Sequence, residues 1–311
     1  MAEIELKELN KECIEAPKLL VARAEDEYHV RISRIAEKIV RAGEIRLVLI
    51  AGPSGSGKTT TANLISDKIK SLGKRSKVLS LDDFYRDRED PSYPRRQDGC
   101  LDYECPESLD LPRLNRTLEK IINGEDYILP KYDFKVGRAT SETKHRNAPG
   151  EVIIIEGLHA INPLISACLP KSKVYKIFIS VSTNINDGDE RILSGRKIRF
   201  VRRLVRDSIY RGADARRTLE FWGEVLRGEN IYLYPFRHLA DDSFDTFHAF
   251  EPPLMKKFVL QLLTEELAEE IEYVRIIRDA MLKLYELDES LIPENSLIRE
   301  FISGGTYHKI Y

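Results

Sequence analysis

The residues around position 52 allow very few folds. An apolar run over residues 45–51 ends in Leu47-Val48-Leu49-Ile50-Ala51, which reads as a buried strand. Gly52-Pro53-Ser54-Gly55-Ser56-Gly57-Lys58-Thr59 follows at once, and residues 58–72 then carry a helical pattern stopped by Gly73. A strand that feeds a glycine-rich turn and leaves it as a helix fits G-x-x-x-x-G-K-[ST] in full. The glycines let the backbone curl so that successive N–H groups point at one anion. The helix N-terminus adds its partial positive charge. Gly52, Ser54, Gly55, Ser56, Gly57, Lys58, Thr59 and Thr60 are therefore the expected cradle of a nucleoside triphosphate. Lys58 can reach the outer phosphates and the Thr59 hydroxyl can coordinate Mg²⁺, so ATP and Mg²⁺ are the expected cofactors.

The rest of the chain repeats the alternation. A strand is predicted over 77–81, a long loop over 83–102, and a helix from Pro106 to Ile122 closed by Asn123-Gly124. Further strands are predicted over 151–155, 174–181 and, weakly, 244–247. Strands alternating with helices imply an α/β fold, a parallel five-stranded sheet of the P-loop NTPase type covered on both faces. Helical segments flank it: residues 1–44 form an N-terminal extension, 45–250 the core, and 251–311 a C-terminal extension. Ile32, Ile35 and Ile39 mark the apolar stripe before the core, and Val274, Ile277, Met281 and Leu284 the one after it. Such a stripe can dock on the core or on a second copy, so a homo-oligomer stays open.

Composition narrows the partners. The 311 residues carry 49 Lys and Arg against 51 Asp and Glu, a net charge of −2, which argues against a nucleic-acid footprint. No apolar run approaches the roughly 18 residues of a membrane span. Glu3, Glu5 and Glu8 do not resemble a secretory signal. Cys13, Cys100, Cys105 and Cys168 form no CxxC pair. A soluble cytoplasmic protein is expected. The neutrality hides a segregation: residues 191–217 hold ten basic and two acidic residues, a local +8. Residues 265–300 hold eleven acidic and four basic, a local −7.

Two kinds of residue point to chemistry. Asp82, just past the second strand, is placed to accept a proton from an attacking hydroxyl or to hold a metal through water. Glu156, after the strand at 151–155, is placed for the Mg²⁺ shell together with Thr59. Arg199, Arg202, Arg203 and Arg206 fall at i, i+3, i+4 and i+7, one face of a helix. Four like charges on one face repel unless that face meets a polyanion. They are read as a helical lid, about residues 190–217, that closes over the triphosphate and stabilises the transferring group. Arg199 and Arg203 are the expected catalytic members beside Lys58, and Arg202 and Arg206 the nucleotide-binding ones.

These motifs together resemble the uridine kinase and phosphoribulokinase superfamily of P-loop kinases, over about residues 45–250. Ser80-Leu81-Asp82-Asp83-Phe84-Tyr85 resembles its S-x-D-x-F-Y, and Tyr103-Glu104-Cys105-Pro106 its F-D-H-P. Pro130-Lys131-Tyr132-Asp133-Phe134 resembles P-x-Y-D-F, and Ile154-Ile155-Glu156-Gly157 the strand ending in Glu-Gly. The overall pattern is most similar to a bacterial-type uridine kinase-like subgroup. The resemblance implies Asp82 as general base, Thr59, Asp82 and Glu156 around Mg²⁺, and lid arginines on the phosphates. The departures concern the acceptor. Glu104 replaces the ribose-binding Asp, Cys105 replaces the His, and Lys135-Val136-Gly137-Arg138 lacks the pyrimidine-reading His, with none before His145. Tyr85, Glu104, Tyr132, Arg138 and His159 remain as acceptor-pocket candidates. The expected activity is transfer of the ATP γ-phosphate to a hydroxyl of a small, nucleoside-like acceptor. The alternatives are a sugar, sugar phosphate or polyol acceptor, and a non-catalytic nucleotide-sensing module.

Overall fold

The protein is described by a computed structural model covering residues 2–307. β1 (Glu3–Glu5) leads into α1 (Leu6–Glu15), and Pro17 opens α2 (Pro17–Ala42). A proline is tolerated there because a first-turn N–H has no intrahelical acceptor. The predicted stripe of α2 is real: Ile32, Ile35, Ala36 and Ile39 are buried. β2 (Leu47–Ala51), the glycine loop and α3 (Lys58–Ser71) follow as read, then β3 (Ser76–Ser80) and a single 3₁₀ turn over Leu81–Phe84. The long loop expected after it is present. The helix expected from Pro106 begins later, as α4 (Leu111–Asn123). Asp110 breaks the run by capping: its carboxylate accepts the Arg113 N–H at 3.1 Å.

β4 (Tyr127–Asp133) and β5 (Arg138–His145) form an antiparallel hairpin that the sequence pattern did not suggest. β5 is exposed almost throughout and lacks an apolar face. β6 (Val152–Glu156), α5 (Pro163–Ser166) and β7 (Val174–Ser180) return to the predicted order. A second unexpected hairpin, β8 (Asn184–Asp187) and β9 (Glu190–Leu193), pairs with β1 and delivers the chain to α6 (Gly195–Arg211). α7 (Ala215–Tyr232), β10 (Asp242–Asp245), α8 (Glu251–Leu262), α9 (Glu265–Glu270), α10 (Glu272–Lys283) and α11 (Arg299–Ile302) complete the chain.

The central sheet has five strands in the order β10-β7-β2-β6-β3, every pair parallel. All five residues of β2 are buried, as a strand with helices on both faces requires. Val48 and Ile50 point into one apolar cluster with α2, α3, α6, α8 and α10, and Leu47, Leu49 and Ala51 into another with α4. Both terminal extensions thus share a core with the sheet. Val274, Ile277, Met281 and Leu284 are buried within the chain itself rather than left for a second copy. The strand order also places function. β2, β6 and β3 are neighbours, and Glu156 pairs in register with both Ile50 and Ser80. The glycine loop, Glu156 and Asp82 therefore emerge side by side at the carboxyl edge of the sheet, where α/β folds gather their ligands.

Candidate active site

The loop and α3 take the shape their sequence requires. Gly55 and Gly57 lie at φ +74° and +80°, which a side chain would resist. Lys58 folds back to donate from Nζ to the Pro53 carbonyl at 3.1 Å. Burial pulls its pKa down, while the carboxylates of Glu156, Asp82, Glu300 and Glu229 push it back up. Glu156 Oε1 accepts from the Ser80 hydroxyl at 2.9 Å and the Thr59 hydroxyl at 3.3 Å. Ser80 Oγ in turn caps the following turn by accepting the Asp82 N–H at 3.4 Å. Lys58, Thr59, Asp82 and Glu156, singled out separately along the sequence, are brought to one place.

The four arginines of α6 behave differently from the expectation of an exposed lid face, and this is a correction. Arg199 and Arg202 are 1% and 0% exposed. Arg199 forms a two-pronged pair with Glu229 at 2.8 and 2.9 Å, and Arg202 one with Glu251 at 3.0 and 2.5 Å. Arg206, also buried, pairs with Asp207, and Asp207 further receives Arg203 and Arg211 at 3.2 and 3.3 Å. Those guanidiniums outweigh the burial that would raise Asp207, so its pKa is lowered. Carboxylates from α7 and α8 neutralise the positive face, and the ridge of α6 packs against α8 and α11 instead of standing clear.

The arginines still act on the loop, through its carbonyls. Arg199 Nη1 donates to the Ser54 carbonyl at 2.9 Å, and Arg202 Nη1 to that of Gly55 at 3.1 Å. Thr246, just after β10, donates from its hydroxyl to the Ser56 carbonyl at 2.8 Å. In a planar trans peptide the C=O and the next N–H point in opposite directions. Holding these carbonyls toward α6 and Thr246 therefore turns the N–H groups of Gly55, Ser56 and Gly57 the other way. The Ser56 N–H bonds to the Pro53 carbonyl at 3.2 Å within the loop. Arg203 Nη1 reaches the loop at the Ser54 hydroxyl, 3.0 Å away.

The acceptor-side candidates fall into two groups. Tyr85 and Tyr132 lie with ring centroids 5.7 Å apart, and the Tyr85 hydroxyl donates to the Tyr103 carbonyl at 3.3 Å. Burial, then the charges of Asp82 and Glu104, push Tyr85 well above its usual range. Glu104 is pushed up to about 7 by burial, against the pull of Arg203. His159 is buried and driven down to about 4 by that burial, with a hydrogen bond to the Glu104 backbone pulling partly the other way. Its ring is neutral and meets Tyr232 edge-on. Arg138 stands apart. It is exposed and lines, with Tyr85, Asp83 and Arg113, a cavity of about 590 Å³ whose lining excludes Asp82, Glu104 and His159.

Several residues here were not found in the sequence. Asp102 is buried and receives Arg227 from α7 at 2.8 Å. Gly228 lets Glu104 pass: a Cβ there would lie 2.4 Å from the Glu104 Cβ. Glu229 ties the Ser54 N–H, at 2.8 Å, to Arg199. A charged helix at 215–232 gave no motif, since Ser54, Asp102 and Glu104, which it meets, are more than a hundred positions upstream.

The edge so assembled holds an anion-binding loop with a lysine, two carboxylates and a hydroxyl, and beside them a partly buried polar cleft. A hydroxyl and two carboxylates supply hard oxygen donors of the kind Mg²⁺ takes while keeping waters and substrate phosphates. Among the described residues no group of three or more His, Cys, Asp or Glu forms an all-protein metal cage. Among the described residues no helix is long and apolar enough to cross a membrane.

Comparison with known proteins agrees with this arrangement. The family model described as Phosphoribulokinase / Uridine kinase family matches residues 47–186. A protein named uridine kinase from Bacillus pumilus is 31% identical over 195 residues, covering 62% of this chain and 82% of the relative. One of the same name from Lactobacillus helveticus is 30% identical over 196 residues, covering 63% and 83%. A third, from Deinococcus deserti, is 28% identical over 206 residues, covering 64% and 87%.

Proposed function

Starting from the chain's membership of the phosphoribulokinase / uridine kinase family, we propose that it transfers the γ-phosphate of ATP to a hydroxyl of a nucleoside-like acceptor. As a family member it is a P-loop kinase of a small molecule. The observation that carries the finer reading is the register of β2, β6 and β3, which sets Lys58, Thr59, Glu156 and Asp82 around one loop. In this reading the Gly55 and Gly57 N–H groups, turned inward by Arg199 and Thr246, bind the phosphates, while Arg202 fixes the Gly55 carbonyl behind them. Lys58 neutralises charge that develops on the transferred group. Asp82 accepts the proton of the attacking hydroxyl. Thr59, Asp82 and Glu156 would hold Mg²⁺, which when bound draws charge from the phosphate oxygens. Arg203 and Arg206 contribute charge from the α6 side.

The acceptor lies against Tyr85, Tyr132, Glu104 and His159, with Asp102 and Arg227 shaping the far wall. A carboxyl titrating near neutrality and a neutral buried imidazole suit hydroxyl groups, as donors and acceptors of hydrogen bonds. A second reading, a sugar, sugar phosphate or polyol acceptor, is favoured by Glu104 and Cys105 and by the absence of a His near Arg138. The test is ADP release with Mg·ATP across nucleosides, sugars, sugar phosphates and polyols. Strong stimulation by uridine or cytidine supports the first reading, and by another hydroxyl compound the second. ATP binding without stimulation by any acceptor would mark a nucleotide-sensing module and overturn both.

A further inference from the structure

The first turn of α3 is where the donor's phosphates must bind, and one of its N–H groups is already taken. The Glu300 carboxylate accepts the Thr60 N–H at 3.1 Å and the Thr60 hydroxyl at 2.7 Å through the same oxygen, Oε2. Thr61 N–H bonds back to the Gly57 carbonyl at 3.0 Å, so Thr60 belongs to the group of initial N–H donors that lack a helical acceptor. A carboxylate on a helix N-terminus sits where an anionic phosphate would sit, for the same electrostatic reason. Glu300 also acts on Lys58, its charge partly offsetting the burial that lowers the Lys58 pKa.

The carboxylate is presented by a fixed frame. Leu297, Ile298, Phe301 and Ile302 are buried, and the Leu297 side chain lies 2.6 Å from where a Cβ on Gly57 would stand. Phe301 lies under the Arg202 guanidinium, 5.1 Å from its ring centroid. Arg299 donates to the carbonyls of Glu289 and Ile292 at 3.1 and 2.8 Å and to the Glu289 carboxylate at 2.9 Å. Just beyond, Ser303 is the one non-glycine among the described residues at positive φ, +77°. Such a conformation persists only where the surroundings enforce it. Glu300 itself is only half-buried, so its side chain can rotate away while α11 stays docked.

We propose that Glu300 is a built-in competitor of the phosphate donor. It neutralises and rigidifies the start of α3 through Thr60, and a donor phosphate must displace it to reach that N–H. The C-terminal segment thereby sets donor affinity. This rests on the reading of the loop as the donor site. The experiment is calorimetric binding of Mg·AMP-PNP to the full chain and to Glu300→Gln and Glu300→Ala. Giving up two hydrogen bonds to a charged acceptor predicts affinity tighter by roughly tenfold in both variants. Equal or weaker affinity in a folded variant overturns the proposal. Lys58→Ala separates the two ideas: if it leaves wild-type affinity unchanged, the loop reading itself fails. Should neither Glu300 variant fold, a structure of the wild type with Mg·AMP-PNP decides. A phosphate oxygen on the Thr60 N–H with Glu300 displaced supports the proposal, and a retained Glu300–Thr60 bond overturns it.

Discussion

Arg202 donates to both carboxylate oxygens of Glu251, and neither side chain reaches solvent. The pair joins α6 to the first turn of α8, and the same guanidinium holds the Gly55 carbonyl. A residue that its sequence position marks for phosphate contact is thus an internal strut of the loop. Removing one partner of such a pair leaves a buried charge uncompensated, a loss of about 3–5 kcal/mol. Arg202→Met should lower stability by that order in urea unfolding. A variant with wild-type stability and only weaker donor binding would restore the lid reading.

Asp82→Asn tests the base. The amide keeps the size but cannot take the proton, so turnover should fall roughly 10²–10⁴-fold. Donor affinity, measured by calorimetry, should stay near wild type. Retained turnover would remove Asp82 from the chemistry.

Gly228→Ala tests the acceptor wall. The added Cβ would meet the Glu104 Cβ at 2.4 Å, so Glu104 has to move. Overpacking of this kind costs about 1–3 kcal/mol. The KM for the acceptor should rise while that for ATP holds. Parallel changes in both constants would show a general disturbance of α7 rather than a repositioned Glu104.

Glu25 gives a pH dependence. It is buried in α2, 3.9 Å from the ring nitrogens of both His29 and His248, beside Ser296 and with Asp26 next to it in the chain. Burial raises its pKa from 4.5 to about 7, with the Ser296 hydroxyl pulling partly back and Asp26 adding to the rise. Burial also lowers both histidines, His248 to about 3, so at neutral pH neither offers Glu25 a positive charge. The folded state holds this proton up to about pH 7, whereas the unfolded chain loses it near 4.5. Stability from this group is present in full below 4.5 and is lost as the pH rises to 7, about 3 kcal/mol in all. Glu25→Gln should therefore be more stable than wild type at pH 8 and no more stable at pH 4. Equal offsets at both pH values in thermal unfolding would refute the assignment.

The parts of the site carried by local geometry were legible. Gly55 and Gly57 must take positive φ, Lys58 must open a helix, and an apolar strand must precede them, so the loop and α3 followed from contiguous residues. Asp82 and Glu156 were legible because each directly follows or ends an apolar strand. The β4–β5 hairpin was not, because β5 is solvated on both faces and has no period-two signal. Arg227 and Asp102 were not, because their pairing depends on how α7 lies across a loop 125 positions earlier.

The sequence by itself determined the sheet, the phosphate loop and the polar residues at its edge, since period, glycine placement and helix capping are short-range constraints. Only the tertiary structure decided what the charges do. The +8 of residues 191–217 looked like a surface awaiting a polyanion. At its centre Arg199 and Arg202 are buried, met by Glu229 and Glu251 from α7 and α8 and turned on the carbonyls of the loop, while Glu300 from the acidic C-terminal stretch takes an N–H at the start of α3. Charge along a chain is a sum, but its energy depends on distance and on exclusion of water, and both are set by packing.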